Sequence, residues 1–183
     1  SGATGGIDLG ALAPRVPEML RTPSGRIELA PPLLLADLPR ALDDLARPVP
    51  EMVLIGRRDV RSNNSWMHNL PLLAKGPQRC TALVHPQDAA RIGLQDEARA
   101  HISTRHGGVE RSIEAVVHIS DEMMPGVVSL PHGWGHDQHG SRLRVAAERP
   151  GVNMNALLDE TQRKPLSGNA VLSGIAVDVR AAG

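Results

Sequence analysis

Short apolar runs, bounded by glycine, proline or polar residues, dominate the chain from residue 52 onward and limit the folds it can adopt. Runs of this length fit buried β-strands and are too short for most helices. An alternating segment, ARAHIST (98–104), is followed by a His-Gly-Gly turn and VERSIEAVVHI (109–119), which predicts a β-hairpin. The other predicted strands are MVLIG (52–56), TALVH (81–85), VVSLP (127–131) and AVLSGIAVDV (170–179).

Brief helices are predicted between these strands. Pro86 suits the first position of a helix, and Gly93 suits the residue that ends it. Ser62 is predicted to cap a second helix over 64–70, which Pro71 would end. Short strands with brief helices predict a mainly β fold, in the form of a small closed barrel rather than a doubly wound sheet.

Residues 1–50 have a different character and are predicted to form a proline-rich arm. Eight of the fifteen prolines fall there, a density that disfavours long helices and central strands. Only 38–46 has the composition of a short helix, and nothing in the arm indicates a core of its own. We therefore divide the chain into an arm at 1–50 and a globular domain at 51–183.

Charge and cysteine usage exclude several classes of function. The chain carries 20 basic and 20 acidic side chains, whereas nonspecific nucleic-acid binding usually needs a basic excess. No apolar stretch reaches membrane-spanning length and no signal-peptide pattern opens the sequence, so we expect no membrane partner and a cytoplasmic location. The single cysteine, Cys80, excludes an internal disulfide, an iron–sulfur cluster and a cysteine-rich zinc site.

The first segment with chemical potential is LIGRRDVRSNNSW (54–66). A strand ends at Gly56, Arg57 and Arg58 follow, and serine and asparagine residues then open a predicted helix. N–H groups at a helix start attract anions, and arginine forks bind phosphate oxygens. The alternative is ordinary helix capping with exposed arginines, and the residue types alone leave both interpretations open.

The second segment, SLPHGWGHDQHG (129–140), contains three histidines and one of only two tryptophans in a chain without Phe or Tyr. The spacing of His132, His136 and His139 is possible for zinc, but no helical pattern brings the rings together, so we predict no metal site. A glycine-rich loop that contains Trp134 also allows close approach of the backbone to a flat heteroaromatic ligand.

The third segment, GVNMNALLDE (151–160), is followed by KPLSG (164–168). The amides of Asn153 and Asn155 can read donor and acceptor positions on the edge of a heterocycle. The alternative is that Asn153 caps the start of a helix.

Taken in order, these segments resemble the molybdopterin dinucleotide-binding domain that closes the chains of the dimethyl sulfoxide reductase family, which includes formate dehydrogenases and nitrate reductases. The resemblance extends over 21–179. The matching pieces are RTPSGRIEL (21–29), LIGRRDVRSNNSW (54–66), VHPQDAARIGLQDEARAHIST (84–104), LPHGWG (130–135), GVNMNALLDE (151–160) and PLSG (165–168).

This resemblance implies a double-psi β-barrel, the aspartate-decarboxylase-like fold, and a molybdopterin guanine dinucleotide cofactor carrying Mo or W. The implied cofactor contacts are Gly56, Arg57, Arg58, Asn63, Asn64 and Ser65 for the diphosphate and nearby groups, His85 and Asp88 for the nucleoside, His132, Gly133 and Trp134 near the pterin, and Asn153 and Asn155 closing over the cofactor.

The resemblance also implies that the chain is part of a larger oxidoreductase and is inactive alone. In that family the metal-ligating side chain and the iron–sulfur cysteines lie in earlier domains, so upstream domains of the same polypeptide are the expected partners. The arm would be the tail of the preceding domain, and no residue of this chain is predicted to be catalytic. One departure is Asp96-Glu97-Ala98, where relatives have an acidic-Gly-acidic turn; we expect it to weaken the geometry of the hairpin.

Other functions remain as alternatives. The first is a stand-alone double-psi barrel that acts as an interaction or adaptor module, which would not need the HGWG and NMN segments. The second is self-processing at Gly140-Ser141, and the third is a histidine-rich zinc hydrolase. The last lacks a helix that carries a carboxylate.

Overall fold

A computed structural model describes residues 5–183 and divides the chain into two compact units, Ser1–Arg47 and Pro48–Gly183. The first unit contains one helix, α1 (Pro32–Ala46), and the second contains the β-structure and the chemically interesting segments. Among residues 5–183, no helix is both long and apolar enough to cross a bilayer.

Helix α1 is longer than the sequence predicted. It spans 15 residues rather than the short segment 38–46, and it contains Pro39 in its interior. Pro32 occupies its first turn, where the missing N–H costs nothing, and Arg40 donates hydrogen bonds to Asp37 and Asp44 on one face. None of its residues is buried, and its leucines are exposed. The expectation that proline density prevents a long helix was therefore wrong.

The second unit is mainly β, as predicted, with short helices between the strands. The strands are β1 (Val53–Arg57), β2 (Thr81–Val84), β3 (Arg99–His106), β4 (Val109–Ile119), β5 (Val127–Pro131), β6 (Ile175–Ala176) and β7 (Asp178–Ala181). The helices are α2 (Pro71–Ala74), α3 (Pro86–Ile92), α4 (Arg144–Ala147) and a 3-10 turn over Met154–Leu157.

All seven strands belong to one mixed sheet with the order β6-β1-β5-β2-β4-β3-β7. β1 pairs with β5 and β2 pairs with β4 in parallel, whereas the other pairs are antiparallel. β6 and β7 lie at opposite edges of this order, yet only Val177 separates them along the chain. Because one residue spans only about 3.5 Å, the sheet must curl until its edges meet, so the architecture is barrel-like.

The inside of the curled sheet is filled by aliphatic side chains of nearly every strand. Leu54, Ile102 and Val128 are fully buried there, and Leu157 of the 3-10 turn packs with them. Alternate residues of β2 and β3 contribute to this core, as expected for strands with one buried face. No Phe or Tyr is present, so small branched side chains supply the packing.

Two sequence predictions were wrong in this unit. No regular helix forms over 64–70; that segment consists of turns, and Pro71 begins α2 instead of ending a helix. The hydroxyl of Ser62 donates to the carbonyl of Asp59 at 2.9 Å, so it does not cap a helix. The last predicted strand, 170–179, is replaced by β6 and β7, because the chain must leave one sheet edge and join the other.

The departure at Glu97 does not weaken the hairpin. Glu97 adopts the left-handed φ of 62° that a glycine would favour, and its N–H donates to the Val117 carbonyl at 3.0 Å. A carboxylate oxygen of Asp96 accepts the Ile119 N–H at 2.8 Å, which fixes the turn further. β3 and β4 then pair without interruption through eight residues, from Arg99 to His106.

Candidate functional site

The loops that follow β1 and β5 lie side by side. The two strands are parallel, with Gly56 opposite Leu130 and Arg57 opposite Pro131, so both end at the same edge of the sheet. The N–H of His132 continues the pairing by donating to the Arg57 carbonyl at 3.1 Å. The first two chemically promising segments are therefore neighbours in space, although they are far apart in sequence.

Glycines allow these loops to touch. A Cβ atom on Gly56 would lie 2.2 Å from Nε2 of His132, and one on Gly133 would lie 2.1 Å from the carbonyl oxygen of Asn64. Real Cβ contacts are essentially never this short, so each position requires the missing side chain. The structure thereby brings together four residues predicted for the cofactor site, from two separate segments.

The third segment joins the same cluster. A Cβ atom on Gly135 would lie 2.6 Å from Cβ of Asn153, and one on Gly151 would lie 2.8 Å from the Trp134 ring. The N–H of Gly135 donates to the Pro150 carbonyl at 2.7 Å. Asn153 also has the local role considered from sequence, since its side chain accepts the Asn155 N–H at 3.0 Å at the start of the 3-10 turn.

A groove of about 520 Å³ opens beside the β1 loop and includes three predicted residues among its lining. Asn63 and Asn64 have left-handed φ values of 42° and 63°, a conformation that asparagine tolerates better than most residues. Both are exposed, as is Arg58, whereas Ser65 is half-buried. The lining residues are Arg58, Asp59, Val60, Asn63, Asn64 and Met67. A guanidinium and two amides on an open groove can bind anionic oxygens.

Arg57 has a different environment from Arg58. Its guanidinium points into the fold and donates to the carbonyls of Ser129 at 2.6 Å, Thr81 at 2.8 Å and Arg79 at 3.1 Å. Burial lowers the pKa of this guanidinium from its ordinary value. The side chain thus joins three backbone segments, and phosphate binding by Arg57 stays a prediction that these contacts do not favour.

His85 and Asp88 lie at the other end of β5. β2 runs antiparallel to β5, with Val84 opposite Val128, so the residues after Val84 are beside the start of β5 rather than its end. The carboxylate of Asp88 accepts the Gly126 N–H at 2.7 Å and pairs with Arg91 at 3.1 Å. His85 caps α3 by accepting the Gln87 N–H at 3.1 Å. The structure does not bring these two residues to the β1 and β5 loops, and their nucleoside contact stays a prediction.

A ring cluster that the sequence did not reveal lies against Trp134. His68 is 7% exposed, its ring centroid lies 4.1 Å from that of Trp134, and its Nδ1 lies 2.5 Å from Nε2 of His136. Burial lowers the pKa of both imidazoles. The sequence pattern groups His136 only with the other histidines of its own loop. His68 gives no signal in the sequence, because the predicted helix over 64–70 hides the turn that carries it.

No metal-ligand cluster emerges from these side chains. Among residues 5–183, no three His, Cys, Asp or Glu side chains are grouped so that they could hold a metal ion. The zinc hydrolase alternative therefore gains no support from the part of the chain that the structure describes. The predicted burial of Cys80 is confirmed, since it is 2% exposed, and burial raises the pKa of its thiol.

Comparison with protein families identifies this arrangement. The model of the Molydopterin dinucleotide binding domain matches residues 52–175, more than half of the chain. The chain belongs to the molybdopterin dinucleotide-binding domain family. The resemblance inferred from the ordered sequence segments is thereby confirmed, and the matched range contains the three segments that meet at the β1 and β5 loops.

Two relatives of this molybdopterin dinucleotide-binding domain extend the assignment. The chain is 30% identical to a tetrathionate reductase of Salmonella typhimurium, over 54% of this chain and 11% of that protein. It is similar in fold to acetylene hydratase from Pelobacter acetylenicus, with a TM-score of 0.58 and 21% identity over 81% of this chain and 20% of that one. The chain therefore spans about a fifth or less of the length of these relatives.

The site fits the dinucleotide that the family name specifies. Trp134 Nε1 and His68 Nε2 are buried polar atoms without a hydrogen-bond partner anywhere in 5–183, and Trp134 is next to the glycine contacts. A heterocycle with acceptor atoms could use the indole N–H, and the groove beside Arg58 could accept a diphosphate. The polar groups and the space have the chemistry that such a cofactor needs.

Proposed function

We propose that this chain binds the guanine dinucleotide form of molybdopterin as one domain of a larger molybdenum or tungsten oxidoreductase. The observation that carries the proposal is the meeting of three segments, 54–66, 129–140 and 151–160, around glycines that admit no side chain. A domain that only packs against other proteins has no evident need for an arginine- and asparagine-lined groove next to a half-buried indole.

Each segment has a distinct role in this proposal. Arg58, Asn63 and Asn64 hold the diphosphate through charge-assisted and amide hydrogen bonds in the groove. Trp134, with its loop neighbours His132 and Gly133, lies beside the pterin. Asn153 and Asn155 close over the cofactor from the third segment. The bound cofactor supplies the redox-active metal, and the residues of this chain bind and orient it.

The larger enzyme supplies the rest of the reaction centre. Relatives in which this region is 11% or 20% of the chain support placing the metal ligand and any iron–sulfur cluster in other domains of the same polypeptide. In this proposal α1 and the rest of the arm are the tail of the preceding domain. The curled sheet is a double-psi β-barrel, an interpretation supported by the adjacent edge strands β6 and β7.

The test is removal of the two groove groups that are least involved in the fold. Each hydrogen bond to a charged group contributes about 1.5–3 kcal/mol, and about 1.4 kcal/mol corresponds to tenfold in affinity. We expect Arg58→Ala with Asn64→Ala to lower cofactor retention in the longer protein by roughly two orders of magnitude or more. Molybdenum, tungsten and released guanine nucleotide are quantified in the purified protein.

Arg61→Ala is the matched control, because Arg61 is an exposed arginine of the same loop that does not line the groove. It should leave cofactor content unchanged. Full cofactor retention after the double substitution, or an equal loss in the control, contradicts the phosphate-binding role. Release of a pterin dinucleotide with another base would contradict the guanine assignment alone.

A further inference from the structure

The His68–His136 pair connects the two loops of the candidate site by a single hydrogen bond. His68 lies in the turns after β1, and His136 lies in the loop after β5. Their facing nitrogens are 2.5 Å apart, and their rings meet edge to face at 84° with centroids 4.8 Å apart. His68 also lies against Trp134, which has a half-buried position. The contact therefore fixes the position of the indole relative to the groove.

The number of protons decides whether this contact can exist. A neutral imidazole has one N–H donor and one acceptor nitrogen, so two neutral rings, or one neutral and one charged ring, can share the hydrogen bond. Two charged rings place N–H groups face to face at 2.5 Å and also repel each other. The folded pair can thus hold one added proton, but not two.

Charged groups around the pair act in both directions. Asp59, Arg61, Arg79 and Arg149 line the cavity that contains His68, and Asp137 follows His136 directly. Asp59 raises the pKa of His68 and Asp137 raises that of His136, but burial outweighs both and lowers each pKa. The Asp59 carboxylate also lies 3.7 Å from Arg79, which reduces its ability to stabilise an imidazolium.

We propose that the hydrogen bond between His68 and His136 is a proton-sensitive latch that positions Trp134 and holds the β5 loop against the β1 loop. The latch, defined by these two side chains, is closed at neutral pH and opens when both rings are charged. This inference rests on the proposed function for its consequence, since the two loops that it joins hold the dinucleotide. It makes His68 and His136 positioning residues of the cofactor site.

The direction of the pH dependence follows from proton counting. The pKa of each ring is lowered in the folded chain, so below the ordinary histidine value of about 6.5 the unfolded chain binds more protons. The stabilising effect is complete above that value and is lost as the pH falls toward the folded-state values. Each proton taken up on unfolding lowers the folding equilibrium constant by about tenfold per pH unit in this range.

The experiment compares the 183-residue chain with a double variant, His68→Asn with His136→Gln. The Asn amide replaces Nδ1 and the Gln amide replaces Nε2, so a hydrogen bond remains possible while both titratable groups are removed. Urea unfolding is measured at about pH 7.5 and 5.5, on either side of the ordinary histidine pKa. We expect the folding constant of the unmodified chain to fall at least about tenfold more than that of the double variant. His139→Gln, an exposed position in the same loop, should behave as the unmodified chain does.

A second readout needs no latch variant. In a Trp66→Phe background, which removes the 82% exposed tryptophan, Trp134 is the only fluorophore of its kind. Its emission should change at a pH below about 6.5, before urea-free unfolding is seen by circular dichroism, and histidine ring NMR should show two of eight rings with lowered titration midpoints. Equal pH dependence in the double variant, or eight rings that all titrate near the ordinary value, would overturn the latch.

These outcomes are separate from those of the proposed function. A longer protein without any pterin dinucleotide refutes the proposed function and leaves the titration of the latch in this chain as it is. A longer protein that retains its dinucleotide at the acidic pH as fully as at the neutral one overturns the link between the latch and the cofactor site. Loss of the dinucleotide at acidic pH in the unmodified protein, with retention in the double variant, supports it.

Discussion

Substitution of Gly133 by alanine tests the contact that holds the two loops together. Gly133 has a φ of +83°, and an added Cβ atom would lie 2.1 Å from the Asn64 carbonyl oxygen and 2.5 Å from its carbonyl carbon. Both atoms belong to the backbone, so no side-chain rotation can relieve the overlap. The β5 loop and the β1 loop must therefore separate by about an ångström before ordinary carbon–oxygen contact of about 3.5 Å is approached.

Two costs add in this variant. A non-glycine residue in the left-handed region costs about 1–2 kcal/mol, and forcing an extra carbon into a packed contact costs typically about 1–3 kcal/mol. We expect Gly133→Ala to lower the free energy of unfolding by roughly 2–5 kcal/mol in total. Gly140→Ala is the matched control, because its φ is +88° and nothing lies within 4 Å of an added Cβ. It should show the backbone cost alone.

The assay is urea and thermal unfolding of the 183-residue chain and its two variants. The difference between the variants, about 1–3 kcal/mol, corresponds to a melting temperature of Gly133→Ala that is roughly 2–12 °C below that of Gly140→Ala. In the longer protein, only Gly133→Ala should also reduce cofactor content, since it separates the loops of the proposed site. Equal destabilisation by the two substitutions would refute the argument that the Gly133–Asn64 contact is tight.

Two further predictions concern residues whose roles changed between sequence and structure. Arg57→Met should destabilise the chain by about 3 kcal/mol or more, because it leaves partly buried carbonyls of Ser129 and Thr81 without their donor; Arg58→Ala should change stability by less than about 0.5 kcal/mol, and chemical denaturation that ranks them the other way contradicts the assignment. Glu97→Gly should stabilise the chain by up to about 1 kcal/mol, because φ is 62° there; a lower melting temperature would show that the glutamate side chain contributes something that the turn geometry does not account for.

The sequence was most informative where the local pattern and the tertiary structure agree. The β3–β4 hairpin, the strand β5 and the helix α3 with its left-handed Gly93 were predicted within one or two residues, since alternation and glycine or proline punctuation determine them locally. The segment 60–69 failed because Asn63 and Asn64 tolerate left-handed backbone, and Ser62 bonds to Asp59 instead of to helix N–H groups. The two short edge strands β6 and β7 depend on sheet curvature, which no local pattern contains.

For the candidate site, the segments were predicted better than the individual roles. Gly56, Asn64, His132 and Gly133 come together as the resemblance implied. The opposite directions of the Arg57 and Arg58 side chains could not be read from two adjacent arginines, because strand alternation applies only up to the end of β1. His68 could not be found at all, because its partner lies in a loop 68 residues away and the pairing depends on the parallel register of β1 and β5.

That parallel register has a consequence for how ligand binding and folding depend on each other. The β1–β5 pairing closes a long stretch of chain, whereas the β3–β4 hairpin is closed by a two-residue turn. Long-range pairings of this kind form only when much of the domain is already in place. The two loops therefore cannot open independently of the sheet without losing each other, and a cofactor held between them stabilises the whole domain by mass action rather than one local segment. Saturation with the dinucleotide should accordingly slow amide exchange in β1 and β5 and in the distant β3 and β4 by a similar factor.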